Sequence, residues 1–121
     1  ADDFAVISLS DLHLPWAAIE RRLAALAASG VALCLYNPRS RTRTWQLPRA
    51  LEVLGEHREP DVVVAIVTDA ARTQQRVELT TLDTLAPDHV TMHSLLIVAG
   101  DSGQVAGDWL IASRAAVEAL R

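Results

Sequence analysis

The 121-residue chain has a single cysteine, Cys34, which excludes an intramolecular disulfide and any C-x-x-C zinc or redox motif. Aromatic residues are scarce, three Trp with one Tyr and one Phe, although half the residues are hydrophobic. The core must therefore be built from Ala, Val, Leu and Ile. No segment approaches the roughly 20 consecutive apolar residues that span a bilayer. Ala1-Asp2-Asp3 also lacks the basic start of a signal peptide. A cytoplasmic setting is expected, and the abrupt opening on a strand-like run raises the expectation of a longer parent polypeptide. Basic residues are in deficit, 11 against 15 acidic, for a net charge of −4. Nucleic acid is thus not an expected partner, because backbone binding needs a basic footprint. Nor is there a G-x-x-x-x-G-K-[ST] or G-x-G-x-x-G loop to cradle phosphate, or a G-x-S-x-G elbow to raise a nucleophile.

What is present is an alternation of apolar runs and amphipathic stretches. Residues 4–10 read as a buried strand. Pro15 opens a helix on which Trp16, Ile19, Leu23, Leu26 and Ala27 recur at helical spacing until Gly30. Residues 31–36 form a second buried strand closed by Asn37-Pro38. Over 42–57, Trp45, Leu47, Leu51 and Leu54 predict a second helix, with Pro48 imposing a kink or a late start. Residues 62–68 make a third buried strand. Residues 77–81 alternate like an exposed or antiparallel strand, 94–99 are again continuously apolar, and 107–121 predict a terminal helix. The fold class expected is α/β: one domain over residues 1–121, with a mixed, mostly parallel sheet flanked by helices.

Asp11-Leu-His13, just beyond the first strand, has the spacing of a metallophosphoesterase ligand pair. Gly100-Asp101 extends that pattern, but no Asn-His pair and no later histidine complete it, so no metal is expected. Ligands of open α/β sheets lie beyond the carboxyl ends of the strands. One such end is unusual, because Tyr36-Asn-Pro-Arg-Ser-Arg-Thr-Arg43 sets Arg39, Arg41 and Arg43 at alternate positions directly after a buried strand. Arginine forks recognise carboxylates and phosphates, so this loop is a candidate anion site.

Taken in order, FAVISLSDLHLPW, LYNPRSRTRTWQLPRALEVL, VVVAIVTDAARTQQRVELTTLDTL and VTMHSLLIVAGDS resemble the C-terminal half of the precorrin-3B C(17)-methyltransferases, tetrapyrrole methylases of cobalamin biosynthesis. The resemblance covers almost the whole chain and is most specific in I-S-L-S-D-L, P-W and Y-N-P-R-S-R. It implies a two-domain enzyme, commonly a homodimer, that moves a methyl group from S-adenosylmethionine to a precorrin with ring contraction. The N-terminal domain with its glycine-rich cofactor segment would be missing here, so the isolated chain should not turn over. Carried onto this sequence, the cofactor surface comprises Tyr36, Asn37, Ala70, Ala71, Ala99 and Gly100. Arg39, Arg41, Arg43 and Arg72 would face the substrate carboxylates, and Ser10 and Asp11 would handle protons. The family tends to Asn-Ala-Gly-Arg where this chain has Asp69-Ala-Ala-Arg72. A competing reading is a non-catalytic α/β module that binds an anionic ligand or a partner through residues 39–43.

Overall fold

In the computed structural model, residues 4–70 and 72–101 are described; Ala71 and the helix expected over 107–121 lie outside them. Five strands, β1 (Phe4–Ser8), β2 (Ala32–Tyr36), β3 (Val63–Thr68), β4 (Arg76–Thr81) and β5 (Ser94–Val98), form one sheet. Two helices, α1 (Trp16–Ser29) and α2 (Gln46–His57), and a single 3-10 turn at Pro87–His89 connect them.

Each helix ends where its sequence requires. Pro15 caps α1, which buries Ile19, Leu23 and Ala27 at a spacing of four. Gly30 closes it in the left-handed region, φ 82°, and its N–H donates to the Ala27 carbonyl. The second helix starts late rather than kinking. Beginning at Gln46 puts Pro48 in the first turn, where a backbone N–H would have no intrahelical partner anyway. Its buried side is Leu47, Ala50, Val53 and Leu54.

The two helices are fastened to each other near their N-terminal ends. Arg49 donates to Glu20 through Nε at 2.7 Å and Nη2 at 2.9 Å, and the Trp16 indole N–H donates to the same carboxylate at 3.0 Å. That fork, with the indole bond second, holds the Glu20 carboxyl below its ordinary pKa. Trp16 meets Trp45 edge to face, with centroids 5.2 Å apart.

Strand order is β1-β2-β5-β3-β4. The sheet is mixed, as the sequence predicts, but it is not mostly parallel. Only β1 and β2 pair in parallel; β2 with β5, β5 with β3, and β3 with β4 are antiparallel. The cause is β5, which enters between β2 and β3 running against both. Strands β1, β2 and β3 still share one direction, so their carboxyl ends meet the amino end of β5.

Both described helices pack on one face, over Leu33, Leu35, Val64, Ile66, Leu96 and Val98. Flanking by helices is therefore one-sided among the described residues. The other face carries Cys34, Ala65, Val67, Leu95 and Ile97, all buried. Burial there pushes the Cys34 thiol up to about 12, which leaves it a small apolar side chain with no thiolate chemistry.

The far end of the sheet is closed by a knot around Arg58, which is 8 % exposed. Its Nε donates to the Ala27 carbonyl at 2.8 Å and Nη1 to Ala99 at 2.9 Å, while Nη2 reaches Leu26 and Val31. One guanidinium thus ties the C-terminal end of α1, the entry to β2 and the exit of β5.

Candidate functional site

The near end of the sheet is built by two residues that few side chains tolerate in their conformations. Asn37 directly follows β2 with φ 51°, and Asp69 directly follows β3 with φ 56°. Asn and Asp are the L-residues best suited to the left-handed region, and such outliers concentrate at functional sites. Both turn the chain sharply away from the sheet. The Asn37 amide nitrogen donates to Ser8 Oγ at 3.2 Å, which ties the end of β2 to that of β1.

The opening between these turns is a pocket of about 280 Å³ lined by Asn37, Asp69, Ala70, Arg72, Met92, His93, Ser94 and Leu95. Its floor is hydrogen bonded throughout. Ser94 Oγ lies 2.9 Å from Thr68 Oγ1 and accepts the Thr91 N–H at 2.9 Å, and the Asp69 N–H donates to the His93 carbonyl at 3.1 Å. Beside it runs a larger, mainly apolar groove of about 860 Å³ between β1 and α1, lined among others by Ser8, Ser10, Leu12, His13, Arg22 and Tyr36. Asn37 lines both cavities, so they adjoin at this residue.

Sequence-predicted site residues divide accordingly. Asn37, Ala70 and Arg72 come together in the pocket, and Tyr36 and Ser10 join Asn37 on the groove. Ala99 and Gly100 do not join them. Because β5 is antiparallel, its carboxyl end lies at the opposite end of the sheet, where Ala99 accepts from Arg58. Gly100 packs against the chain's own backbone: a Cβ there would stand 2.8 Å from the Ala32 nitrogen and 2.9 Å from the Gly30 oxygen. Ala71 lies outside the described residues.

The arginines divide too. Arg39 Nη1 donates to the carbonyls of Pro87 at 3.0 Å and Val90 at 3.1 Å. Arg43 Nη1 donates to Asn37 at 2.8 Å and Leu9 at 3.1 Å. These two side chains fasten loops together, whereas Arg41 and Arg72 stay exposed. Asp11 lines neither cavity; its carboxylate accepts from Gln46 Nε2 at 3.2 Å at the start of α2. Among the described residues, no group of three His, Cys, Asp or Glu side chains is placed to hold a metal ion.

The residues that sequence reasoning missed are Asp69, Met92, His93 and Ser94. Met92 and His93 precede β5 and Ser94 opens it, so they lie at an amino end and reach the site only because β5 runs against its neighbours. Asp69 carried a signal, since a lone Asp after an apolar strand is a favoured left-handed turn residue.

An α/β domain with a pocket of mixed polarity at the carboxyl ends of strands that share one direction has the architecture in which small molecules are commonly bound. No family model matches the chain. It is 38 % identical over 112 residues to a probable cobalt-factor III C(17)-methyltransferase of Salmonella typhimurium, covering 93 % of this chain and 46 % of that protein. Among solved structures it superposes on the methyltransferase CobJ with a TM-score of 0.77 and 31 % identity, covering 82 % of this chain and 41 % of that one. A uroporphyrin-III C-methyltransferase of Thermus thermophilus, complexed with S-adenosylhomocysteine, shares the fold at a TM-score of 0.56 and 21 % identity. Its relatives are cobalt-factor III and precorrin-3B C(17)-methyltransferases, and it shares the fold of the tetrapyrrole methylases. It spans about half the length of the relatives it matches.

Proposed function

We propose that this chain is the C-terminal half of an S-adenosylmethionine-dependent methyltransferase that acts at C17 of precorrin-3B or its cobalt-bearing counterpart. The observation that carries this reading is the pocket between Asn37 and Asp69, in a domain whose sequence match extends over 93 % of its length. Complete small-molecule sites run to about 300–1,000 Å³. A pocket of about 280 Å³ suits part of a nucleoside cofactor, with the remainder held by the other half of the protein. Small Ala70 allows a flat group to approach the backbone, and Asn37, Asp69 and Arg72 carry donors and acceptors around it.

The cofactor supplies an activated sulfonium methyl, and the protein's task is to align donor and acceptor and to exclude water. Asn37, shared by pocket and groove, marks where the two would meet, so the apolar groove is the surface for the tetrapyrrole. Exposed Arg41 and Arg72 and groove-lining Arg22 would complement its carboxylate fringe. Ser10 is the remaining candidate for proton handling at the groove, with Asp11 behind it. A homodimer in the cytoplasm, with an N-terminal domain completing the cofactor site, accords with this reading. The competing anion-binding module gains less support, because main-chain carbonyls already occupy Nη1 of two of its three guanidinium groups.

The test is calorimetric titration of the full-length protein with S-adenosylhomocysteine. Ala70→Phe fills the pocket and should weaken binding by about tenfold or more, while far-ultraviolet circular dichroism stays unchanged. Undiminished affinity in a folded Ala70→Phe protein would remove the pocket from the cofactor site.

A further inference from the structure

We propose that Arg39 is a positioning residue for the cofactor pocket rather than a substrate contact, holding the Val90–Leu95 wall through its paired bonds to Pro87 and Val90. The proposal rests on the reading of that pocket as part of the cofactor site.

Arg39 lines neither cavity. Its Nη1 instead bridges two carbonyls about 50 residues away in sequence, Pro87 at 3.0 Å and Val90 at 3.1 Å. Pro87 opens the 3-10 turn and Val90 follows it, and the Val90 N–H already donates to the Pro87 carbonyl. Immediately downstream come Met92, His93, Ser94 and Leu95, half of the residues that line the pocket. This wall is fixed at its far end by the buried Thr68–Ser94 hydroxyl pair. At its near end Arg39 is the tie from the β2–α2 loop. Within that loop Asn37 lines the pocket from the other side, and Arg43 secures the Asn37 carbonyl. One loop therefore contributes a pocket residue and sets the opposite wall.

Without Arg39 the Pro87 carbonyl keeps the Val90 N–H, but the Val90 carbonyl loses its charged donor and the tie to the β2–α2 loop is gone, so the segment that carries it relaxes. Arg39→Gln lacks the reach and the charge. Arg39→Lys can serve the carbonyls as a single ammonium and should recover part of the function. A positioning residue and a substrate contact predict opposite patterns. In the full-length protein, Arg39→Gln should raise the dissociation constant for S-adenosylhomocysteine roughly three- to thirtyfold. Amide exchange across residues 90–95 should accelerate, and the KM for the tetrapyrrole should stay within about twofold.

Arg39→Lys falling between wild type and Arg39→Gln in cofactor affinity would support the role. A raised tetrapyrrole KM with unchanged cofactor affinity and unchanged exchange would overturn it in favour of direct substrate contact. Unchanged values throughout would overturn it as well. Ala70→Phe separates the layers of the argument. If filling the pocket abolishes cofactor binding while Arg39→Gln does not weaken it, only the Arg39 proposal fails. If filling the pocket has no effect, the reading of the pocket fails and takes this proposal with it.

Discussion

At the scale of single residues, the same side-chain type does different work according to what surrounds it. Arg58 is a buried staple: four main-chain carbonyls satisfy its guanidinium, and burial lowers its pKa, opposed by the charge of Asp101. Arg49 is a surface fork whose pKa the Glu20 and Glu52 carboxylates raise. Arg41 stands in water. Nothing in the sequence distinguishes these three, because the difference lies in carbonyls supplied by residues 27 to 41 positions distant. The sequence does mark Asn37, since Asn between an apolar strand and a proline announces a sharp turn.

His89 adds a titratable contact. Its Nδ1 lies 2.9 Å from a Glu78 oxygen, and that bond first, then the carboxylate charge, raises the imidazole pKa above its ordinary value, with Asp88 adding in the same direction. A raised folded-state pKa means that this pair contributes stability fully below the unfolded value of about 6.5. The contribution is lost as pH rises through the folded value. Glu78→Gln should therefore lower the melting temperature at acidic pH and have a vanishing effect once His89 is neutral in both proteins. It should also shift the imidazole NMR titration to lower pH. A melting difference that grew with pH would contradict this assignment.

At the scale of elements, the far-end knot explains why Gly100 is glycine. A Cβ there meets backbone, the Ala32 nitrogen and the Gly30 oxygen, neither of which moves without shifting β2 or the end of α1. At Gly30 the obstruction is the Asp101 carboxylate, which can swing aside, but φ of 82° still disfavours any side chain. Gly100→Ala should therefore cost about 1–3 kcal/mol in denaturant unfolding, as overpacking does, without changing cofactor affinity. A loss of affinity at constant stability would return Gly100 to the binding surface.

Among the described residues, element types and order were legible in the sequence, because continuous apolar runs, a proline at one helix start and a glycine at one helix end each leave a local signature. Strand direction was not. A fully buried strand reads the same whether it runs parallel or antiparallel, and the choice for β5 is made by pairing with β2 and β3 on both sides. That single ambiguity grouped Ala99 and Gly100 with residues at the opposite end of the sheet and left out Met92, His93 and Ser94, which line the pocket.

At the scale of the whole molecule, two of the five large exposed apolar side chains among the described residues lie on the two cavities. Leu12 is 78 % exposed on the groove and Met92 52 % exposed on the pocket, so each cavity has a large apolar residue facing solvent at its rim. An apolar rim around an incomplete pocket is what a domain presents to the domain that completes it. If the proposed N-terminal half docks across these rims, Leu12→Asp and Met92→Asp should each weaken association between separately produced halves by about tenfold, since each strands a charge in a desolvated contact. The fold of this half should be unaffected, because both side chains already face water. Leu79→Asp is the control, at an exposed apolar position on the edge strand β4. Sedimentation velocity of the mixed halves reads the outcome. Weakening by Leu12→Asp and Met92→Asp but not by Leu79→Asp would place the proposed N-terminal half over the cavities, where it could close the proposed cofactor pocket. The reverse pattern would put the contact on the β4 edge, leaving the small pocket open to solvent and the proposed catalytic cleft without its second wall.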